Sequence, residues 1–426
     1  VARNTLVGLI VFFAIISMSW VPACGAENAI GDPQREASRL GTLPDVRIVH
    51  LPDAALAPDV MMDGAGVVHM VYGLGDNAWY VRSTNNGRTF SPPVRVNTEG
   101  KVTLKMGERG PKLALGKGGT GMGPQSRLVA IGSQSPNAKY RVWEPSIHVV
   151  WADQWSPGVK VYPRHSRSLD GGRPFEPPRA LASLSGIDGL TVTADGEGDV
   201  VAFFHQVSPP QQEIPEAHRI YLVRSVDNGA SFGAQERVKI QGMDDLACSM
   251  CMMRARMAPD GNVCLALRVA NDNIRDFFLL RSPKRENAFT PVRVNEDRWE
   301  LKTCPMCGPE LTLDPAGRML CAFMSRHRVY WSALDGGRFK LHAATPAGEN
   351  DEIYPAAFGD GKGHVLLVWQ VGPMAVGREA AVKWAMYGDD GAFSGKQGTI
   401  GVSTSGTKAT AFVGTDGAFY IVTTAK

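Results

Sequence analysis

Ser225-Val226-Asp227-Asn228-Gly229-Ala230-Ser231-Phe232 is one of three copies of a single eight-residue pattern. The others are Ser83-Thr84-Asn85-Asn86-Gly87-Arg88-Thr89-Phe90 and Ser168-Leu169-Asp170-Gly171-Gly172-Arg173-Pro174-Phe175. Weaker copies run from Ser282 to Phe289, without the Asp and Gly, and from Ser332 to Phe339, with the acid shifted to Asp335. Asp389-Asp390-Gly391-Ala392-Phe393 is a last remnant. The pattern reads as strand–turn–strand. The acid folds back onto turn amides, Gly takes a positive φ, and the aromatic plugs the space between sheets. Recurrence of this kind marks a repeat architecture.

A second grammar precedes each copy. An extended run ends in a D-x-x-G or D-G turn and an alternating, β-rich run follows. Asp63-Gly64-Ala65-Gly66 leads into Val67–Tyr72, Asp195-Gly196-Glu197-Gly198 into Asp199–Phe204, Asp260-Gly261 into Asn262–Arg268, and Asp360-Gly361-Lys362-Gly363 into His364–Trp369. Four strands in about 50 residues make a propeller blade. Inner hairpins start near Ala57, Gly110, Gly189, Met252, Gly308, Tyr354 and Lys408. The second carries a Gly- and Ser-rich insertion, Gly116 to Glu144, expected to be a surface loop. The last unit, Lys408 to Thr424, has two strands, and the lone strand Val46–Leu51 can complete it. The expected fold is therefore an all-β propeller of four-stranded blades over residues 45–426, closed by the N-terminal strand. Seven blades are favoured by this arithmetic, with six the alternative.

Composition agrees. Of 426 residues, 44% are hydrophobic and 20% charged, which excludes a disordered chain, while 47 Gly and 28 Pro suit a turn-rich β protein better than a helical one. Net charge is +3 and no basic block of five or six residues occurs, so nucleic acid is excluded as the partner.

At the N-terminus Arg3 precedes an apolar run, Thr5 to Trp20, followed by small residues at Ala23, Cys24, Gly25 and Ala26. This reads as a secretory signal over residues 1–23, with a polar tether over 24–44. Val21-Pro22-Ala23-Cys24 resembles the bacterial lipoprotein box, which implies lipidation of Cys24; cleavage near Gly25 or Ala26 is the alternative. The expected location is outside a bacterial cytoplasm: periplasm, outer-membrane lipoprotein or extracellular. A lipid at Cys24 would be the one membrane attachment.

The eight-residue copies resemble the Asp box, S-x-D-x-G-x-x-[FW], of the sialidase superfamily and other Asp-box propellers. In such propellers the boxes share one face with the innermost hairpin turns. Ligands then meet the opposite face, where inner strands begin and second strands end. That face offers Arg254, Glu310 and Tyr354 at strand starts and Arg268, Arg326 and His327 at strand ends, with Arg275, Asp276 and Trp299 beside them. Guanidinium groups suit bidentate carboxylate binding, so an anionic glycan or a surface protein is the expected partner. The segment from Gly308-Pro309-Glu310 to Arg326 is similar to the sialidase segment of Glu, strand, Gly-turn, strand and arginine. The resemblance implies that Glu310 supports a tyrosine nucleophile, Tyr354, and that Arg326 joins a carboxylate-binding triad. A glycoside hydrolase would use this pair and an acid, for which Asp276 is the candidate. The family opens its first full blade with [FY]-R-I-P, whereas Leu56-Ala57-Pro58 stands here. Binding is therefore the leading reading and hydrolysis the alternative.

Cys248-Ser249-Met250-Cys251 and Cys304-Pro305-Met306-Cys307 lie one blade repeat apart, and both lead into inner strands. The chain resembles bacterial exported sialidase-like propellers with cysteine pairs at these points. Two C-x-x-C pairs have the spacing of a tetrahedral Zn site, and nearby methionines also suit Cu(I). In an oxidising compartment disulfides are the default. Metal, disulfide and free thiols stay open. The four cysteines are expected to act as one unit across two blades.

Overall fold

The structure, a computed structural model, describes residues 42–104, 108–118, 128–129, 140–141, 144–154, 161–184, 186–206, 218–244, 247–248, 251–343, 351–372, 379–403 and 408–425. The signal, Cys24 and most of the tether lie outside them. Among the described residues no helix is long and apolar enough to cross a membrane.

The protein is a seven-bladed β-propeller. Six sheets have four strands, taken here as A to D from the axis outward, and each is an antiparallel meander, although in the second A pairs with B across the long insertion. The A strands are Leu56–Met62, Lys112–Leu115, Ile187–Ala194, Arg254–Met257, Glu310–Leu313, Glu352–Gly359 and Thr410–Val413 in blades 1 to 7. Each packs against the next, and the last packs against the first, which closes the ring. The described part of the insertion is a two-stranded ribbon, Leu128–Val129 with Tyr140–Arg141.

Blade 7 is completed by the N-terminal strand, as expected. Among the described residues it holds Thr410–Val413, Phe419–Thr423 and Val46–His50, and the N-terminal strand runs parallel to Phe419–Thr423. The expected closure is present, but the incoming strand docks directly on strand B as the blade's third strand.

Second strands such as Met319–Ser325 and Val200–Gln206 are buried along nearly their whole length. A blade is covered on both faces by its neighbours, so these strands read as continuous apolar runs rather than as alternations. The core is accordingly divided among the blade interfaces. One cluster joins blades 3 and 4 through Phe203, Leu265 and Phe289; another joins blades 5 and 6 through Trp331, Tyr354 and Leu367.

The repeated turns have a common hydrogen-bond plan. Ser83, Ser168 and Ser225 Oγ accept the amides of Gly87, Gly172 and Gly229 at 2.9, 2.9 and 2.8 Å and donate to Asn85, Asp170 and Asp227. Gly172, at φ 94°, lies so close to the Tyr80 ring that a Cβ would collide with it. The terminal aromatic leans on the preceding blade: Phe175 on Tyr80, and Phe232 on His165. Asn228 N–H donates to Gly198 O of the A–B turn at 2.8 Å, so these turns share one face. The loops leading into the A strands are left to the other.

Candidate functional site

On that other face the A strands of blades 1, 3 and 6 carry the same irregularity, a bulge at Leu56/Asp59, Asp188/Thr191 and Ile353/Ala356. The residue at the bend has a left-handed backbone each time: Ala57 at φ 47°, Gly189 at 61° and Tyr354 at 51°. Glycine takes this conformation freely, whereas a tyrosine held there is strained. Tyr354 is also 1% exposed. Burial pushes its phenol well above the usual range, with Glu108 and Cys307 adding to the effect.

Below the bulges the axis is filled by charge. Arg254 of blade 4 reaches across to Asp59 of blade 1 with both terminal nitrogens, one at 3.0 Å, and its Nε lies 2.6 Å from Glu310 of blade 5. Glu310 also receives Lys408 Nζ at 2.8 Å. Burial alone would raise Glu310, but Arg254, Lys408 and Arg256 outweigh it and hold the carboxyl far below its usual value. Burial pushes Arg256 down to about 10 and Lys112 down to about 8. In both, the adjacent Arg254 charge adds to the depression. Among the described residues this axial group sets Lys112, Arg254, Arg256 and Lys408 against Asp59, Glu310 and Glu108, so positive charge is in surplus by one.

Glu108, which leads into strand A of blade 2, accepts the Gly308 amide at 2.9 Å and the Met252 amide at 3.3 Å. Burial raises it to about 7. It is therefore an electrostatic neighbour of Tyr354, while the neighbours of Glu310 are Arg254, Lys408 and Arg256. The sequence reading did not single out Glu108, Asp59, Lys112 or Lys408. A signal was there: Asp59 and Lys112 are charges placed within strands that must be buried at the axis.

The remaining sequence candidates divide by burial. Arg268 is 1% exposed; its Nη2 donates to Cys307 O at 3.0 Å and Met324 O at 2.7 Å. Its guanidinium carbon sits 4.1 Å from the Phe277 ring centre and 5.4 Å from that of Trp299, which is itself buried. Arg275 donates to Leu301 O at 2.8 Å. Arg326 and His327 form a left-handed B–C turn and are exposed, Arg326 lying 3.3 Å from Asp297. Asp276 pairs with Arg293 at 2.9 Å. It lines an open cleft of about 830 Å³ on blade 4, together with Asp244, Asp272, Phe278 and Arg298. Its wall includes Val269, the residue after Arg268, whose carbonyl accepts the Cys248 amide at 2.8 Å.

The structure brings together Cys248, Cys251 and Cys304, from the loops leading into blades 4 and 5. Cys304 Sγ is 3.6 Å from Cys248 Sγ and 3.4 Å from Cys251 Sγ. The three could hold a metal ion. The neighbouring thiols, donating to it, hold Cys304 at about 3, while burial pushes Cys251 up to about 11. Cys307 is not one of the group. Its Sγ accepts the Tyr354 amide at 3.3 Å, and burial raises it to about 12. Gly308, the next residue, packs against the Met252 backbone, where a Cβ would collide. Cys264 and Cys321 are buried within their B strands.

No protein-family model and no curated protein matches the chain. Similar solved structures include a Penicillium chrysogenum α-L-arabinanase, 11% identical, covering 78% of this chain and 94% of its own at a TM-score of 0.48. An ulvan lyase is 13% identical and covers 87% of each chain, at 0.46. A leech intramolecular trans-sialidase is 12% identical and covers 78% of this chain and 68% of its own, at 0.43. At such identities the likeness concerns the fold alone.

Proposed function

We propose that this chain is an exported propeller that binds an anionic saccharide at the face where its inner strands begin, over the axis. The observation that carries the reading is the surplus of buried positive charge on the axis, Lys112, Arg254, Arg256 and Lys408 against Asp59, Glu310 and Glu108. Charges of one sign enclosed by low-dielectric walls focus a field at the opening, which draws in an anion. Arg326, exposed in the B–C turn of blade 5, offers a further guanidinium on the same face.

Calorimetric titration with a sialic-acid-terminated oligosaccharide and its neutral counterpart tests this. The anionic sugar is expected to bind more tightly. Arg326→Ala should weaken it by about 1–3 kcal/mol, and Lys112→Met should erase the preference. Equal affinity for the two sugars, or unchanged binding in both folded variants, would sink the reading. Hydrolysis is favoured by one observation, the strained and buried Tyr354 beside Glu108. Sugar release from an aryl sialoside, abolished by Tyr354→Phe, would replace binding with that reading. None is expected, because Leu56-Ala57-Pro58 stands where the opening arginine would be.

A further inference from the structure

We propose that Cys248, Cys251 and Cys304 form a three-thiolate site for one soft d10 cation, Zn(II) or Cu(I), clamped between blades 4 and 5, with Cys307 outside it. Geometry comes first. Metal–sulfur bonds of about 2.3 Å place ligand sulfurs roughly 3.8–4.0 Å apart in tetrahedral or trigonal arrangement. The observed separations of 3.6 and 3.4 Å need to open by only a few tenths of an ångström. A disulfide would instead have to close one pair to about 2.05 Å and leave the third thiol over. A metal uses all three.

The surroundings are built for negative charge. Met306 N–H donates to Cys304 Sγ at 3.3 Å, and Arg275 Nη1 lies 3.8 Å from Cys248 Sγ. Arg268 is the second, independent observation. Its Nε and Nη1 are buried without a hydrogen-bond partner, although Nη2 is bound to two carbonyls. Its charge acts on Cys251 and Cys304. A buried guanidinium left partly unsatisfied is costly unless something anionic lies beside it. Three thiolates carry three negative charges. The ion and the two arginines offset them, so the assembly comes close to neutral with either cation. Loading would release the thiol protons to solvent.

The donor set fixes the class of ion. Among the described residues the group consists of cysteines alone, and thiolates select Zn(II) and Cu(I) over Mg²⁺, Ca²⁺ or Mn²⁺. Because the ligands come from two blades, the ion would add to the links those blades already make, Arg254 to Glu310 and Arg268 to the Cys307 and Met324 carbonyls. The other clustered acids, Asp195, Glu197 and Asp199, are already engaged by Lys284, and Asp199 also by Arg285.

The test uses the whole chain, reduced and then loaded with Zn(II) or with Cu(I) delivered from a chelator. Metal per chain is measured after desalting, with a count of reactive thiols. One equivalent of at least one of the two ions, protecting three thiols, is expected. Cys304→Ser should lower retained metal roughly tenfold or more, whereas Cys307→Ser and Cys264→Ser should keep one equivalent. Cys248→Ser, from the other blade, serves if Cys304→Ser does not fold. Loss of metal in Cys307→Ser to the same degree as in Cys304→Ser overturns the three-ligand site in favour of four. Retention of neither ion, or a disulfide joining any two of the three cysteines in the untreated protein, overturns it altogether.

Discussion

His148 and His165 stack face to face between blades 2 and 3, ring centres 5.4 Å apart, with His148 Nδ1 3.2 Å from His165 Nε2. Both are fully buried, and Asn228 of the next blade's turn meets His148 Nε2 at 3.2 Å. Burial pushes His148 down to about 4 and His165 well below its ordinary value. The unfolded chain therefore binds protons that the folded one refuses between pH about 6.5 and about 4. The neutral pair's contribution is fully present above pH 6.5 and is lost as pH falls through the folded value, at most on the order of 3 kcal/mol for His148. Urea unfolding at pH 7.5, 5.5 and 4.5 should show that decline, and His165→Leu should flatten it. An identical slope in the variant would show that the pair is not its source.

At the scale of the element, the eight-residue turn works through its serine. Ser225 Oγ satisfies the Gly229 amide and holds Asp227, which in turn caps the Ser231 amide at 2.9 Å. Losing it leaves an amide without its acceptor, so Ser225→Ala should cost about 1–3 kcal/mol. In the degraded copy Ser282 donates to the Glu286 carbonyl at 3.1 Å and accepts the Ala288 amide at 3.3 Å, with no acid to organise. Ser282→Ala is expected to cost less. Equal losses in thermal unfolding would mean that the acid adds nothing to the turn.

For the whole molecule, the ring depends on a strand borrowed from the chain's start. Val46–His50 pairs with Phe419–Thr423 over five residues, and Val49 and Leu51 are buried against blades 7 and 1. Arg47 adds an ion pair with Asp416 at 2.7 Å. Deleting residues 45–51 would uncover a strand edge whose side chains are all buried and forfeit on the order of 3–6 kcal/mol of apolar burial. The expected result is a markedly lower melting temperature and concentration-dependent association in light scattering. A truncated chain with the melting temperature of the intact one would mean that the strand is dispensable for closure.

Sequence alone determined the repeat and the approximate starts of the inner hairpins and favoured seven blades, and the closed ring of inner strands decided between seven and six. Turn chemistry is local: Ser225, Asp227 and Gly229 need only one another to specify their bend. It also placed Cys248 and Cys304 in equivalent loops of adjacent blades. What those loops do next is a matter of distance, and distance is tertiary. Cys307 Sγ meets the Tyr354 amide of blade 6 instead of the other thiols, and Arg254 finds Asp59 across the axis, 195 residues away. The N-terminal strand that completes blade 7 runs parallel because it docks on the free edge of Phe419–Thr423. A repeat fixes which positions are equivalent by rotation, but charge pairing, sulfur contacts and ring closure depend on how seven unequal blades meet around one axis.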